Sequence, residues 1–117
     1  MPVHLAEPGG VLQRGQVYVL PEMLGVVAGN DGLRFGETGD DLFAALPAAD
    51  TAVILLSGSD PALVEPAMAH GFKGALVAGQ SPEGCYDAAA PESLIARGAE
   101  SGPPVELARK LAARWPA

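Results

Sequence analysis

The most informative stretch of this sequence is Ala52-Val-Ile-Leu-Leu-Ser-Gly-Ser-Asp60. Its first five residues form a continuous apolar run, which is typical of a strand covered on both faces in a parallel sheet. A tight glycine turn follows, and Asp60 and Pro61 suit the N-cap and the first turn of a helix. Residues 74–78 predict a second buried strand. The sequence therefore predicts a right-handed strand–helix–strand unit, and residues 52–56 are the candidate for the central strand of the sheet.

The flanking segments extend this unit in both directions. Residues 16–20 predict a strand, and residues 25–28 and 33–35 predict a hairpin around Gly29-Asn-Asp-Gly32, since these turn residues tolerate positive φ. Helices are predicted over residues 40–46 with Asp40 as the cap, 60–71 with Gly71 as the end, 91–96 closed by Gly98, and 105–115. Pro66 should kink the second of these helices or delay its start.

These elements together predict an α/β fold. We expect a partial doubly wound, mainly parallel sheet of methylesterase or Rossmann type with an N-terminal β-meander. A chain of 117 residues can build one small hydrophobic core, so a single domain over residues 1–117 is expected.

Composition excludes several classes of protein. The net charge is −7, with seven Lys and Arg against fourteen Asp and Glu, so the surface should repel nucleic acid. No apolar run approaches the roughly 20 residues that span a bilayer, and no secretory signal is visible. Cys85 is the one cysteine, which fits a reducing compartment, and a cytoplasmic location is expected.

Candidate catalytic groups converge on the turn after residues 52–56, because open α/β sheets place their ligands at the carboxyl ends of strands. Asp60 could orient a catalytic histidine there or cap the following helix, and the two roles are compatible. A serine esterase also needs a base beside its nucleophile, but neither His4 near the terminus nor His70 at a helix end is well placed. The sequence contains no Gly-x-Ser-x-Gly elbow.

No cofactor or metal is expected. Cys85 has no basic neighbour in the sequence and is interpreted as a packed thiol. The carboxylates Glu37, Asp40 and Asp41 are interpreted as caps and solvating charge rather than as metal ligands. The glycines of residues 29–32 lack the lysine and the following helix of a phosphate cradle.

Two motifs carry a resemblance to a known family. One is Leu12-Gln-Arg-Gly-Gln-Val-Tyr-Val-Leu-Pro21, and the other is Ala78-Gly-Gln-Ser-Pro-Glu-Gly-Cys85 with the helix that follows it. From Pro2 to Trp115 the chain resembles the C-terminal part of the methylesterase domain of the chemotaxis protein-glutamate methylesterase CheB. The positions in register with the family pattern are Gln80, Cys85, Pro91, Gly98 and Ala99.

The resemblance implies a role for Asp60. This residue takes the place of the family's triad aspartate in a "T-G-M-G-x-D-G" loop, so it is the one catalytic residue that carries over. The loop is about two residues shorter here, it lacks the methionine and second glycine, and Pro61 follows the aspartate. A shift of about 1 Å can cost about a hundredfold in rate.

Three functions follow as hypotheses. The first is a degenerate or truncated methylesterase-like module of a chemosensory system, without esterase activity of its own, which binds a chemosensory protein or chemoreceptor. Such a module can self-associate through an uncovered apolar face, and the alternative is a monomer in which residues 1–35 cover that face. The second is the C-terminal piece of an active methylesterase that demethylates chemoreceptors. The third is a receiver-like signalling domain, suggested by residues 53–57, 60–64 and 74–77.

Overall fold

The computed structural model of the chain describes residues 3–20, 24–30, 32–37, 42–43 and 45–115. The chain divides into two compact units, Met1–Pro47 and Ala48–Ala117. We refer to them as the N-terminal and the C-terminal unit. That the whole chain acts as a single domain stays a prediction.

The N-terminal unit contains two short sheets. Strands β1 (Val3–Leu5) and β2 (Val17–Val19) pair in parallel, and β3 (Gly25–Gly29) and β4 (Gly32–Gly36) form an antiparallel hairpin. The predicted hairpin is confirmed. The predicted N-terminal β-meander would be antiparallel throughout, but β1 and β2 are parallel. Residues 6–16 form the crossover that returns the chain to the start of β1 before β2 begins, as parallel strands require.

A small core holds the N-terminal unit together. Its buried members are Ala6, Leu24, Val26 and Phe35. The ring of Tyr18 packs edge-on against Phe35 with centroids 4.9 Å apart, which is a favoured aromatic geometry. The helix predicted over residues 40–46 falls in part on residues outside the described ranges, among them its proposed cap Asp40, and the described Leu42 and Phe43 lie in a turn.

The C-terminal unit is built on a three-stranded sheet. Strands β5 (Ala52–Leu55), β6 (Leu76–Gln80) and β7 (Glu100–Gly102) are all parallel, in the order β5-β6-β7. The predicted mixed α/β class with a parallel sheet is confirmed. The prediction that residues 52–56 form the central strand is wrong, because β7 adds to the far side of β6 and leaves β5 at an edge of this sheet.

Three α-helices accompany the sheet. A 3₁₀ turn over Pro61–Leu63 leads into α1 (Val64–Phe72), so Pro66 lies in the first turn, where its missing N–H breaks no helical bond. The delayed start expected from Pro66 is confirmed. Helices α2 (Ala89–Ala96) and α3 (Pro104–Arg114) follow the predicted positions closely. Among the described residues, none of the helices combines the length and apolarity needed to cross a membrane.

Glycine at positive φ ends both α1 and α2. The prediction that Gly71 ends α1 is wrong: the helix continues to Phe72, and Gly74 with φ 113° closes it. Gly71 instead permits close packing, since a Cβ there would lie 2.9 Å from Val77 Cγ2. Gly98 closes α2 as predicted, with φ 101° and with Ala99 N–H donating to Leu94 C=O at 3.3 Å.

The core of the C-terminal unit lies between the sheet and its helices. Helix α2 approaches β6 very closely, because a Cβ on Gly79 would lie 2.8 Å from the carbonyl oxygen of Pro91. The buried apolar side chains of this unit come from the sheet and from all three α-helices: Val53, Leu55, Val64, Ala67, Val77, Ala78, Ala90, Leu94 and Leu107.

Candidate functional site

The candidate site is the carboxyl edge of the parallel sheet in the C-terminal unit. The loop at residues 56–60 follows β5, and the loop at residues 81–87 follows β6. Both loops begin at the same edge of the sheet because β5 and β6 are parallel. Ligands and catalytic groups of open α/β sheets collect at such an edge.

Asp60 is exposed at this edge and caps the helical segment that follows. Its Oδ1 accepts a hydrogen bond from the N–H of Ala62 at 2.9 Å, and its backbone is extended with φ −68° and ψ 128°. This is the geometry of an N-cap residue. Asp60 therefore has the predicted role of a helix cap, and its catalytic role stays a prediction.

Ser57 joins the two loops. Its Oγ accepts hydrogen bonds from the N–H groups of Tyr86 at 2.9 Å and Asp87 at 3.1 Å. The N–H of Gly58, which has a positive φ of 83°, donates to the carbonyl of Asp87 at 3.0 Å. A side chain at position 58 would be strained at that φ. The hydroxyl of Ser57 therefore serves as an acceptor for the backbone of the neighbouring loop.

Gln80 is the buried polar residue behind both loops, with 8% of its surface exposed. Its Oε1 accepts from the N–H of Ser57 at 2.9 Å, and its Nε2 donates to the carbonyl of Gly84 at 3.1 Å. Both ends of the amide are thus engaged, as a buried amide requires. The sequence marked Gln80 only as a matching position, because a role that depends on two distant loops leaves no local signal.

Cys85 lies half-buried in the second loop. Its Sγ is 3.5 Å from the carbonyl oxygen of Ser81 and 3.8 Å from that of Gln80, and both can accept a weak S–H hydrogen bond. This is the arrangement of a packed thiol. The neighbouring Tyr86 is fully exposed, so the loop presents an aromatic side chain at the carboxyl edge.

The two histidines lie elsewhere. His4 is in the N-terminal unit, where its Nε2 is 2.9 Å from Gln16 Oε1 and its ring lies beside Tyr18. His70 is buried near the end of α1, and its carbonyl accepts from Ala75 just before β6 begins. His70 therefore belongs to the amino edge of the sheet, opposite Asp60. Burial lowers the pKa of His70, and the charge of Lys73 lowers it further.

The acidic residues do not form a metal site among the described residues. In the part of the chain that the structure describes, no three His, Cys, Asp or Glu side chains are grouped so that they could hold an ion. Glu37 is exposed, and Asp40 and Asp41 lie outside the described residues.

The C-terminal unit thus belongs to the class of α/β structures with a parallel sheet and a Ser–Asp loop at its carboxyl edge. Among solved structures, the chain is similar to the crystal structure of the Thermotoga maritima CheB methylesterase catalytic domain, with a TM-score of 0.72 and 25% sequence identity. The similarity covers 91% of this chain and 66% of that domain. The resemblance to the CheB methylesterase fold is confirmed.

Two other comparisons found nothing: no family model matches the chain, and neither does any curated protein sequence. The chain spans 66% of the length of the methylesterase domain that it resembles, so a third of that fold has no counterpart in these 117 residues.

Proposed function

We propose that this chain is a methylesterase-like module of a chemosensory system that acts by binding another protein and does not itself hydrolyse esters. Its partner is a chemoreceptor or another chemosensory protein, and the setting is the cytoplasm. The fold supports the family relation, and the engagement of the residues at the carboxyl edge supports the non-catalytic role.

One observation carries this proposal, namely that the Ser57 hydroxyl is held by backbone N–H groups and the C-terminal unit has no histidine at its carboxyl edge. The Oγ of Ser57 accepts hydrogen bonds from the N–H groups of Tyr86 and Asp87. The carboxylate of Asp60 accepts one from the N–H of Ala62. A serine becomes a nucleophile when a base accepts its proton, and His70 lies at the opposite edge of the sheet. The edge is arranged to fix two loops and to display Tyr86 rather than to activate a hydroxyl.

The test combines hydrolysis and binding in one sample. The purified chain is mixed with a methylated cytoplasmic fragment of a chemoreceptor, and released methanol and co-sedimented protein are both measured. We expect co-sedimentation and a methanol release equal to buffer, with Ser57→Ala and the matched Ser59→Ala leaving that release unchanged. Methanol release that Ser57→Ala abolishes and Ser59→Ala retains would contradict the proposal.

A second candidate function is the C-terminal piece of an active methylesterase. Its support is the position of Asp60 at the carboxyl edge, together with the third of the methylesterase domain that has no counterpart here. Another segment would then supply the nucleophilic serine, its histidine base and the oxyanion donors. The coding sequence around this stretch separates the two candidates: an in-frame Gly-x-Ser-x-Gly-Gly with a histidine downstream favours the enzyme.

A further inference from the structure

The two edges of the parallel sheet in the C-terminal unit differ in composition. Strand β7 has Glu100 and Ser101, polar residues that are common on edges facing water. Strand β5 is Ala-Val-Ile-Leu, and its whole neighbourhood from residue 51 to residue 59 contains no charged residue. Edge strands that face water usually carry charged residues that discourage pairing with another chain, and β5, an edge strand within this sheet, has none.

The strand register shows which main-chain groups of β5 point away from β6. The N–H of Leu76 donates to the carbonyl of Thr51 at 3.0 Å, and Ala52 lies beside Leu76. Since successive residues of a strand alternate in direction, Val53 and Leu55 also bond to β6, and the N–H and C=O groups of Ala52 and Ile54 point outward. No hydrogen bond joins these outward groups to any other described residue.

Strand β7 shows the same alternation of inward and outward main-chain groups. The N–H of Ser81 donates to the carbonyl of Gly102 at 3.0 Å, so Glu100 and Gly102 face β6 and Ser101 faces outward. The outward positions Ala52 and Ser101 are therefore equivalent sites on opposite edges, one apolar and one polar.

We propose that the outer edge of β5 pairs in antiparallel fashion with the same edge of a second copy of this chain. Pairing centred on Val53 places Ala52 opposite Ile54 of the partner subunit, and the reverse on the other side of the two-fold axis. Each of these two positions exchanges both of its N–H···O=C bonds, so about four hydrogen bonds form. The result is a continuous six-stranded sheet made from two three-stranded ones.

The uncharged edge of β5 permits a second copy as the occupant. With a net charge of −7, two copies repel each other over most of their surfaces. A two-fold axis at Val53 places residues 51–55 of the two copies opposite each other, and none of these residues is charged. Closed two-fold dimers are the commonest assemblies. This inference rests on the proposed function, in which the chain acts by binding, and it specifies one binding surface.

The test is sedimentation equilibrium over a wide range of protein concentration. We expect the wild type to move from 11.9 kDa to twice that mass as concentration rises. Ala52→Pro removes an outward N–H at the first residue of β5, where proline is tolerated, and keeps the bonds to β6. It deletes two of the four intermolecular bonds, and we expect dimerisation to weaken by about tenfold or more. Ser101→Pro, the matched control, should leave it unchanged.

Three results would overturn the proposal: a wild type that stays at 11.9 kDa throughout, an Ala52→Pro variant that dimerises as tightly as the wild type, or an equal loss in Ser101→Pro. Amide exchange measured by NMR gives an independent answer should Ala52→Pro fail to fold. The Ala52 and Ile54 amides of the wild type should become protected as concentration rises, whereas Val53 and Leu55 stay protected throughout. Equal protection of Ala52 and Ile54 at all concentrations contradicts dimerisation through β5.

Failure of this inference can be distinguished from failure of the proposed function. Serine-dependent methanol release with intact dimerisation contradicts only the proposed function. A monomer whose Ala52 and Ile54 amides become protected only when the receptor fragment is added contradicts the second copy as occupant and keeps the binding role.

Discussion

The two units of the chain use strands in different ways. In the N-terminal unit each sheet has two strands, and one face of the β1–β2 pair exposes Val3, Leu5 and Val19. In the C-terminal unit helices cover the parallel sheet, and Leu94 and Ala67 are completely buried. Strand chemistry alone does not explain the difference, because β1, β2 and β5 are all rich in apolar residues.

Burial of polar groups differs as well. The buried polar side chains of the described residues, His70 and Gln80, both lie in the C-terminal unit. A buried polar group must be satisfied or kept neutral, and it then restricts the packing around it to one arrangement. We therefore expect the C-terminal unit to be the less tolerant of substitutions.

The largest effect is expected when the same leucine substitution is made in both units. Leu55 on β5 is 3% exposed, and Leu5 on β1 is 66% exposed. Leu55→Asp buries an unpaired charge and should cost several kcal/mol, enough to unfold a unit whose total stability is on the order of 5–15 kcal/mol. Leu5→Asp should change stability by less than about 0.5 kcal/mol. Circular-dichroism melts of both variants measure this, and equal melting temperatures would remove the distinction between the units.

A second pair of variants tests how closely each unit is packed. A Cβ on Gly79 would lie 2.8 Å from the carbonyl oxygen of Pro91, whereas a Cβ on Gly36 would lie 3.5 Å from Val27 Cγ2, an ordinary contact. Gly79→Ala should cost about 1–3 kcal/mol, because α2 must move away from β6. Gly36→Ala should be neutral or slightly stabilising, since alanine loses less backbone entropy. Urea unfolding midpoints of the two variants measure these changes in stability. A larger loss of stability in Gly36→Ala than in Gly79→Ala would contradict the tighter packing of the C-terminal unit.

The smallest effect concerns pH. Burial and then the charge of Lys73 lower the pKa of His70 in the folded chain below 6.5, the value of the unfolded chain. The unfolded state therefore binds more protons, so the contribution of His70 to stability is fully present above pH 6.5 and is lost as pH falls from there through the lower folded pKa. The slope is at most about 1.4 kcal/mol per pH unit.

Two variants isolate this contribution of His70. His70→Gln should flatten the slope of unfolding free energy against pH just below 6.5, and Lys73→Gln should reduce it by removing the nearby charge. Urea unfolding at several pH values, followed by Trp115 fluorescence, provides the free energies. A slope that persists in His70→Gln would assign the pH effect to another group.

Local features of the fold were predictable from residue types. The turn residues of the hairpin, the cap at Asp60, the late start of α1 at Pro66 and the end of α2 at Gly98 each depend on the steric or hydrogen-bonding properties of one or two neighbouring residues. The apolar runs at residues 52–56 and 74–78 likewise indicated buried parallel strands, and the spaced motifs around Gln80 and Cys85 indicated the methylesterase fold.

What the sequence determined by itself was therefore the class of fold, the approximate elements and the position of Asp60 after a buried strand. Only the tertiary structure decided that β6 is the central strand, that Gly71 lies inside a helix, and that Ser57 and Gln80 join two loops. Strands β1 and β7 also emerged only there. Three residues carry little propensity unless they are β-branched or aromatic as in β2, so β1 and β7 exist mainly through pairing with a neighbour. Contacts between residues far apart in the chain leave no periodic pattern in the sequence, and these contacts determine which side chains of the site meet.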